Sequence, residues 1–554
     1  MEPPRPPLSL LERLPRHGPL LTGLVTLAVF WPCLQNGFVH WDDGANFLDN
    51  PAYRGFSWPQ LRWMFTSFHL GHYIPLTWMS FSLDHTLWGM NPAGYHLTNV
   101  LLHAANAVLF YFLAERLFRL SPGRPPAETA GAVAAASLAA ALFFSLHPLR
   151  VESVAWVTGR KDLLAGFFIL LSSLLYLRHA SRGTAGRYIA CLGLFLFALL
   201  SKGVSLVLPF VWLALDFFPL RRLTDGPSLR RCLKEKIPFL ALSTVFAAVA
   251  LAGARFSGAA MPLTEYDPQQ RLGEFFFSSL FYLHKTLLPF SLSPLYPLAD
   301  DLRLNVSSAL LHGLVFALLT VLAFLYRKKA PAGIALWTVY LAFLAPTSGL
   351  IQSGPQTVAD RYSYLSCFGW ALLAGGAVRA RFPQGRGRRI LALLPALGLF
   401  SLLSVLSHKQ IGVWKDSQTL WSHVLTVTPP SSIAHLGYGM ALEETGEVDR
   451  AEEHYRKALA LRPTFDLALR RLAGLRLRKG EWRQAAGLYQ LSLAFQPNDA
   501  EALNNLGYSL LRLHMPVEAA ACLSRALALM PDSEKIKHNL HLAHAAGRRP
   551  AEKR

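Results

Sequence analysis

The sequence predicts an all-α chain in two parts, a polytopic membrane helix bundle followed by an α-solenoid of helical repeats. Three observations predict it. Of 554 residues, 52% are hydrophobic and 16% charged, and the mean hydropathy is +0.29, whereas a soluble domain carries roughly 25% charge. The apolar residues gather in blocks between Val25 and Leu406. Beyond them the chain turns charged, and Pro429, Pro463, Pro497 and Pro531 recur every 34 residues. A single soluble core is excluded, although the length allows three or four units at about 150 residues each. The net charge of +20 would suit a polyanion binder, but the Lys and Arg residues flank the apolar blocks, as membrane topology requires. Five cysteines, Cys33, Cys191, Cys232, Cys367 and Cys522, lie far apart without a CxxC pair. Neither a disulfide framework nor a zinc site follows.

A bilayer-spanning helix needs about 20 mostly apolar residues. Residues 1–18, with Arg5, Arg13 and Arg16, read as a cytoplasmic tail, and Leu20–Leu34 as an uncleaved anchor, since no small-residue cleavage site follows it. Residues 19–408 form the transmembrane domain with its outer loops. Further spans are expected near 99–118, 130–148, 162–178, 188–200, 204–219, 237–254, 306–326, 332–348, 362–379 and 390–407, making about eleven. Three basic clusters test the count: Arg221 to Lys236, Arg327 to Lys329, and Arg379 to Arg389. All fall on the side of the N-terminus, which the positive-inside rule makes cytoplasmic, provided Leu272–Leu298, with Pro289, Pro294 and Pro297, does not cross. That segment reads as re-entrant or interfacial. An odd number of crossings then places the C-terminus outside.

The 34-residue spacing is the tetratricopeptide period. Gly439, Ala473 and Gly507 keep step, as do Ala451, Ala485 and Ala519, and Tyr455, Tyr489 and Leu523. Small residues at these positions let paired helices approach closely. The repeat domain is expected over 409–546: a half repeat at 409–430 with Ser417, Trp421 and Val424 in phase, three full repeats over 431–532, and a capping helix at 533–546. A short tail, 547–554, follows.

Ionisable residues at a membrane edge are costly and default to functional candidates. The first outer loop, about 35–98, contains Asp42 and Asp43; adjacent carboxylates raise one another's pKa and suit a base or metal ligand, while a loop turn or helix cap explains the same pair equally well. The second outer loop holds His147, Arg150, Glu152, Arg160, Lys161 and Asp162, a set that also fits an interfacial anchor. Lys202 stands at the next outer turn, and Asp360, Arg361 and Tyr362 at the outer end of span ten. Singly, each suits a structural role. Together they gather carboxylates and cations on one face, as transfer from an anionic lipid would require. Asp216 is expected to pair with Arg221 or Arg222. His96 and His103 fit a packed core better than a metal site, and Asn305-Val-Ser307 matches a glycosylation pattern too common to use.

These residues carry a resemblance. Trp41-Asp42-Asp43, Tyr95-His96-Leu-Thr-Asn99, His147-Pro-Leu-Arg-Val-Glu152-Ser-Val-Ala-Trp156 with Arg160-Lys161-Asp162, Leu213-Ala-Leu-Asp216-Phe-Phe-Pro219, Glu235-Lys-Ile-Pro238, Leu288 to Pro297 and Ala359-Asp360-Arg361-Tyr362 stand in order before the repeats. The chain thereby resembles the transmembrane and tetratricopeptide-repeat O-mannosyltransferases and their bacterial relatives, a branch of the GT-C glycosyltransferases. The resemblance implies a GT-C-like bundle with an active site at the outer membrane face, a polyprenyl-phosphate sugar donor, and transfer to Ser or Thr of a protein recruited by the repeats. It assigns the acidic base of the first outer loop to Asp42 or Asp43.

A hydroxyl is a poor nucleophile at neutral pH, so a positioned carboxylate that takes its proton speeds attack, typically about 100- to 10,000-fold. Asp42 is the first choice and Asp43 the second. Arg361, supported by Arg160, Lys161 and Lys202, is expected to bind the donor phosphate. His147, Glu152, Asp162, Asp360 and Tyr362 are expected to orient the sugar or acceptor. No cofactor follows from the residues; a divalent metal is allowed but not indicated. The partners are the lipid-linked sugar, an acceptor protein or peptide and membrane lipids, not nucleic acid. The wording of the motifs favours a bacterial inner membrane with the repeats periplasmic, or the endoplasmic reticulum membrane in a eukaryote. The alternatives are a membrane-anchored repeat scaffold without catalysis and a transporter. A transporter would place its polar residues near the bilayer midplane.

Overall fold

The computed structural model describes residues 10–121, 130–257, 266–298, 306–350, 354–381 and 386–548. The first part of the expected tail, with Arg5, the Asn305 pattern and residues 549–554 lie outside them. The described chain is helical apart from a two-stranded antiparallel ribbon, Tyr296–Pro297 with Gln356–Val358. It divides into two compact units, one running to Leu420 and one from Trp421.

Every segment expected to cross the membrane is helical in the first unit. Six are long and apolar enough to span: Arg16–Gln35, Pro92–Leu120, Val157–Ser181, Gly226–Phe256, Val306–Lys328 and Leu394–Val413. A seventh, Ala130–Leu146 with Pro148–Ala155, is bent by 57°, because Pro148 offers no amide to continue the helix. The remaining four differ from expectation in length. Ala185–Ser201 has 17 residues, Leu208–Phe217 has 10, Pro331–Leu344 has 14 and Phe368–Ala380 has 13. At 1.5 Å per residue, all four fall short of a hydrocarbon core of about 30 Å, Ala185–Ser201 by the least. Leu272–Leu298 resolves into an amphipathic helix, Pro268–Leu287, capped by Asp267, and then an irregular turn into the strand Tyr296–Pro297.

Helices pack where side chains are small. A Cβ on Gly375 would lie 2.5 Å from the Ala136 carbonyl oxygen, so Phe368–Ala380 rides directly on the alanine-rich helix Ala130–Leu146. Between helices, polar groups are paired: Thr26 donates to Ser145 at 2.9 Å, and His103 reaches the Tyr364 hydroxyl at 2.9 Å and the Ser145 carbonyl at 3.0 Å. Such pairing is what an apolar surrounding demands of buried polar groups. Asp216 pairs with Arg222, as expected, and also with buried Lys236.

Residues 37–91 fold against one end of the bundle around an aromatic core of Phe47, Tyr53, Trp78, Phe81 and Tyr95. This packing holds the loop that carries the adjacent aspartates.

The second unit is built from antiparallel helix pairs: Ser432–Glu444 with Val448–Leu461, Asp466–Arg478 with Trp482–Phe495, and Ala500–Arg512 with Pro516–Leu529, followed by Glu534–Arg548. The small residues sit where helices touch. A Cβ on Gly439 would meet the Tyr455 ring at 2.6 Å, and one on Gly507 would meet Leu523 at 2.5 Å.

Candidate functional site

Sequence order brings the candidates to helix ends: Asp42 and Asp43 after the first long helix, Lys161 at the start of Arg160–Ser181, Lys202 after Ala185–Ser201, and Arg361 before Phe368–Ala380. Asp42, His69, His72, Trp78, Thr158 and Lys161 line one narrow cleft. Its free volume is about 10 Å³, room for one water, so a hexose enters only if a wall moves.

The two aspartates part company here. Asp43 is fully buried. Its carboxylate accepts from the Val39 amide at 3.1 Å, the Thr158 amide at 3.3 Å and the Thr158 hydroxyl at 2.7 Å, which pins the loop to the turn before Lys161. Burial pushes its pKa up to about 7 against those hydrogen bonds. Asp42 is half-buried, and among the described residues no hydrogen bond reaches its carboxylate.

The adjacent cations divide in the same way. Arg160 is fully buried; it pairs with Asp84 and donates to Asn99 Oδ1 at 2.7 Å and the Tyr95 carbonyl at 2.6 Å. Its guanidinium holds the loop core and does not line the cleft. The Lys161 ammonium, 5.7 Å from the Trp156 ring centre, has no hydrogen-bond or ion-pair partner among the described residues, and Asp42 is the foremost charge acting on it.

Two braced cations complete the group. Arg361 pairs with Glu152, whose Oε2 also accepts the Arg361 amide at 2.8 Å, and its guanidinium lies 5.2 Å from the Trp156 ring centre and 5.0 Å from that of Tyr362. Lys202 pairs with Asp162 and stands 6.0 Å from the Tyr362 ring centre. Lys161, Lys202 and Arg361 all act on His72. Lys161 foremost, with Lys202 and Arg361 in support, holds the His72 imidazole well below its usual pKa, so it is neutral at pH 7. His69 lines the same cleft, its Nε2 3.1 Å from the Ala45 carbonyl.

Sequence reasoning did not single out His69 or His72. The signal was His69-Leu-Gly-His72 in a loop whose Leu70 and Gly71 have positive φ, 47° and 77°; two polar rings on a strained turn mark a candidate site. His147 and Asp360 stand apart from the cleft. His147 accepts the Leu149 amide at 3.3 Å and contacts the Thr286 carbonyl at 3.0 Å, which shapes the bend at Pro148. Asp360 accepts from the Tyr296 hydroxyl at 2.9 Å, and burial beside Glu152 raises its pKa well above the carboxylate range.

Three family models described as tetratricopeptide repeat match residues 433–475, 468–501 and 500–533. The chain is 25% identical to Protein O-mannosyl-transferase F38B6.6 of Caenorhabditis elegans over 466 residues, 80% of this chain and 63% of that protein. It is 26% identical to mouse Protein O-mannosyl-transferase TMTC4 over 80% of this chain and 66% of that protein. Over a shorter stretch of 116 residues, 21% of this chain and 12% of the relative, identity to mouse Protein O-mannosyl-transferase TMTC2 reaches 41%. The chain thus spans less than two thirds of the length of these relatives. The homologues of this chain are protein O-mannosyl-transferases with tetratricopeptide repeats, the family its motifs resemble.

Proposed function

We propose that the chain is a GT-C-type membrane glycosyltransferase that moves a sugar, mannose or a similar hexose, from a polyprenyl-phosphate donor to Ser or Thr hydroxyls of proteins. One observation carries the reading. A carboxylate and an ammonium without hydrogen-bonding partners among the described residues, Asp42 and Lys161, share a cleft beside two braced cations, Arg361 and Lys202.

In this reading the acceptor oxygen attacks the anomeric carbon while the bond from that carbon to the phosphate oxygen breaks. Asp42 takes the hydroxyl proton, and the lipid phosphate leaves with the bonding electron pair. Direct displacement inverts the anomeric centre. Lys161, Arg361 and Lys202 stabilise the charge that develops on the phosphate, the last two fixed in place before the reaction by Glu152 and Asp162. Neutral His72 lines the cleft and the ring of Tyr362 stands by Arg361 and Lys202, while Asp43 and Arg160 hold the two backbone segments that carry Asp42 and Lys161. The basic loops face the cytoplasm, which puts the cleft and the repeats on the outer side, the periplasm of a bacterial inner membrane or the lumen of the endoplasmic reticulum.

The test is transfer by purified protein in lipid nanodiscs supplied with a polyprenyl-phosphate mannose and a Ser/Thr peptide. Asp42→Asn is expected to slow the chemical step about 100-fold or more without changing the unfolding temperature. A wild-type rate from that variant ends the base assignment. If wild-type protein transfers nothing while repeat variants abolish function in cells, the chain is a scaffold.

A further inference from the structure

The helix Asp466–Arg478 turns Leu467, Arg470, Arg471 and Arg478 toward a groove of about 440 Å³ in the repeat unit. The groove continues along the solenoid in register. Leu467, Glu501 and Lys535 stand 34 residues apart, as do Arg471 and Asn505, and all five line it. It is the shared inner face of successive first helices, and an extended ligand laid along it meets one register position per repeat.

The charges in it are unequally used. Arg470 is held by Asp499 and Asp466, and Arg478 by Glu443, which also accepts from the Tyr455 hydroxyl. Arg471 and Lys535 have no ion pair or hydrogen bond among the described residues, and both are exposed. Glu501 is the one lining carboxylate without an ion pair among those residues. The Tyr489 hydroxyl accepts from the Asn505 amide at 3.2 Å, which leaves its own proton free to point into the groove.

From this placement we propose that the repeat groove binds an extended acceptor segment bearing two carboxylates, one at Arg471 and one at Lys535, with a backbone carbonyl between them at Tyr489. Naming the occupant as an acceptor rests on the transferase reading; the groove chemistry does not. Neighbouring helices pack about 8–10 Å apart, so Lys535, two first helices beyond Arg471, lies about 20 Å along the solenoid. An extended chain advances about 3.3 Å per residue, which sets the carboxylates about six residues apart. An exposed free cation meeting a carboxylate at close range gives binding that weakens with salt.

The experiment uses the full chain in nanodiscs and a fluorescein-labelled Gly/Ser twelve-residue peptide with Glu at positions 3 and 9, read by anisotropy without donor. It is expected to bind about tenfold or more tightly than the peptide with Gln at both positions and than one with Glu at positions 3 and 5. Arg471→Gln and Lys535→Gln should each weaken the Glu peptide, and the double variant should erase its advantage. Arg483→Gln, exposed and outside the groove, should leave binding unchanged. Equal binding of Glu and Gln peptides overturns the proposal, as does an equal loss in Arg483→Gln, which would mean attraction to the chain's overall positive charge. A chain that binds in the expected pattern yet transfers no sugar supports the groove and ends the transferase reading; one that transfers sugar but shows no preference for carboxylates overturns the groove alone.

Discussion

Asp42 and Asp43 are chemically identical neighbours put to opposite uses, and Arg160 and Lys161 repeat the division. In each pair one residue is sunk into hydrogen bonds and the other faces the cleft. The pairs were legible in the sequence as charges beside apolar blocks; which member was free was not, because the choice is made by Thr158, 115 residues from Asp43, and by Asp84 on a separate helix. Burial gives Asp43 a pH signature. Its pKa rises to about 7 in the fold from about 3.9 in an unfolded chain, so folding takes up a proton between those values. The contribution of Asp43 to stability is therefore full below about pH 4 and declines as pH rises through 7. Thermal unfolding of wild type and Asp43→Asn at pH 5 and pH 8 should show the variant gaining on wild type at the higher pH, by an amount on the order of 3 kcal/mol. Parallel curves for the two proteins would contradict the assignment.

Among the elements, the repeats keep the period of the sequence, and the membrane helices stand at the expected segments but differ in length. The 34-residue period requires the same turn in each pair, and the structure shows it as a left-handed residue: Gly446 at φ 82°, Gly480 at φ 77° and, in the third repeat, His514 at φ 61°. A side chain in that region costs roughly 1 kcal/mol that glycine avoids. His514→Gly should therefore raise the stability of the third repeat by about 0.5–1 kcal/mol, less the entropy glycine adds to the unfolded chain, read as slower amide exchange over residues 500–529; faster exchange would show that His514 earns its place by a contact. The membrane segments were visible as helices from apolarity alone. Their lengths were not, since the breaks come from local backbone turns such as those at Pro148 and at Lys202, where φ is −160°. A hydropathy window averages across them.

For the molecule as a whole, the proposed topology makes +20 of net charge a mark of direction more than of binding. An alkaline phosphatase fusion, active only outside the cytoplasm, is expected to be active when joined after Arg554 and inactive when inserted between Leu223 and Thr224. The reverse pattern, or activity at both points, would break the topology and remove the cleft from the side on which lipid-linked sugars are expected.

The helix Val306–Leu325 buries none of its residues, although Gly313 lies against Phe276 and Phe316 against Trp337. Along the rest of its surface it answers to hydrocarbon tails, which cannot tell leucine from phenylalanine. Its history should therefore read unlike that of its neighbours: within a species series, the outward positions drift freely among apolar residues while Gly313, Phe316 and Thr320, the last a partner of the Trp337 indole, stay put.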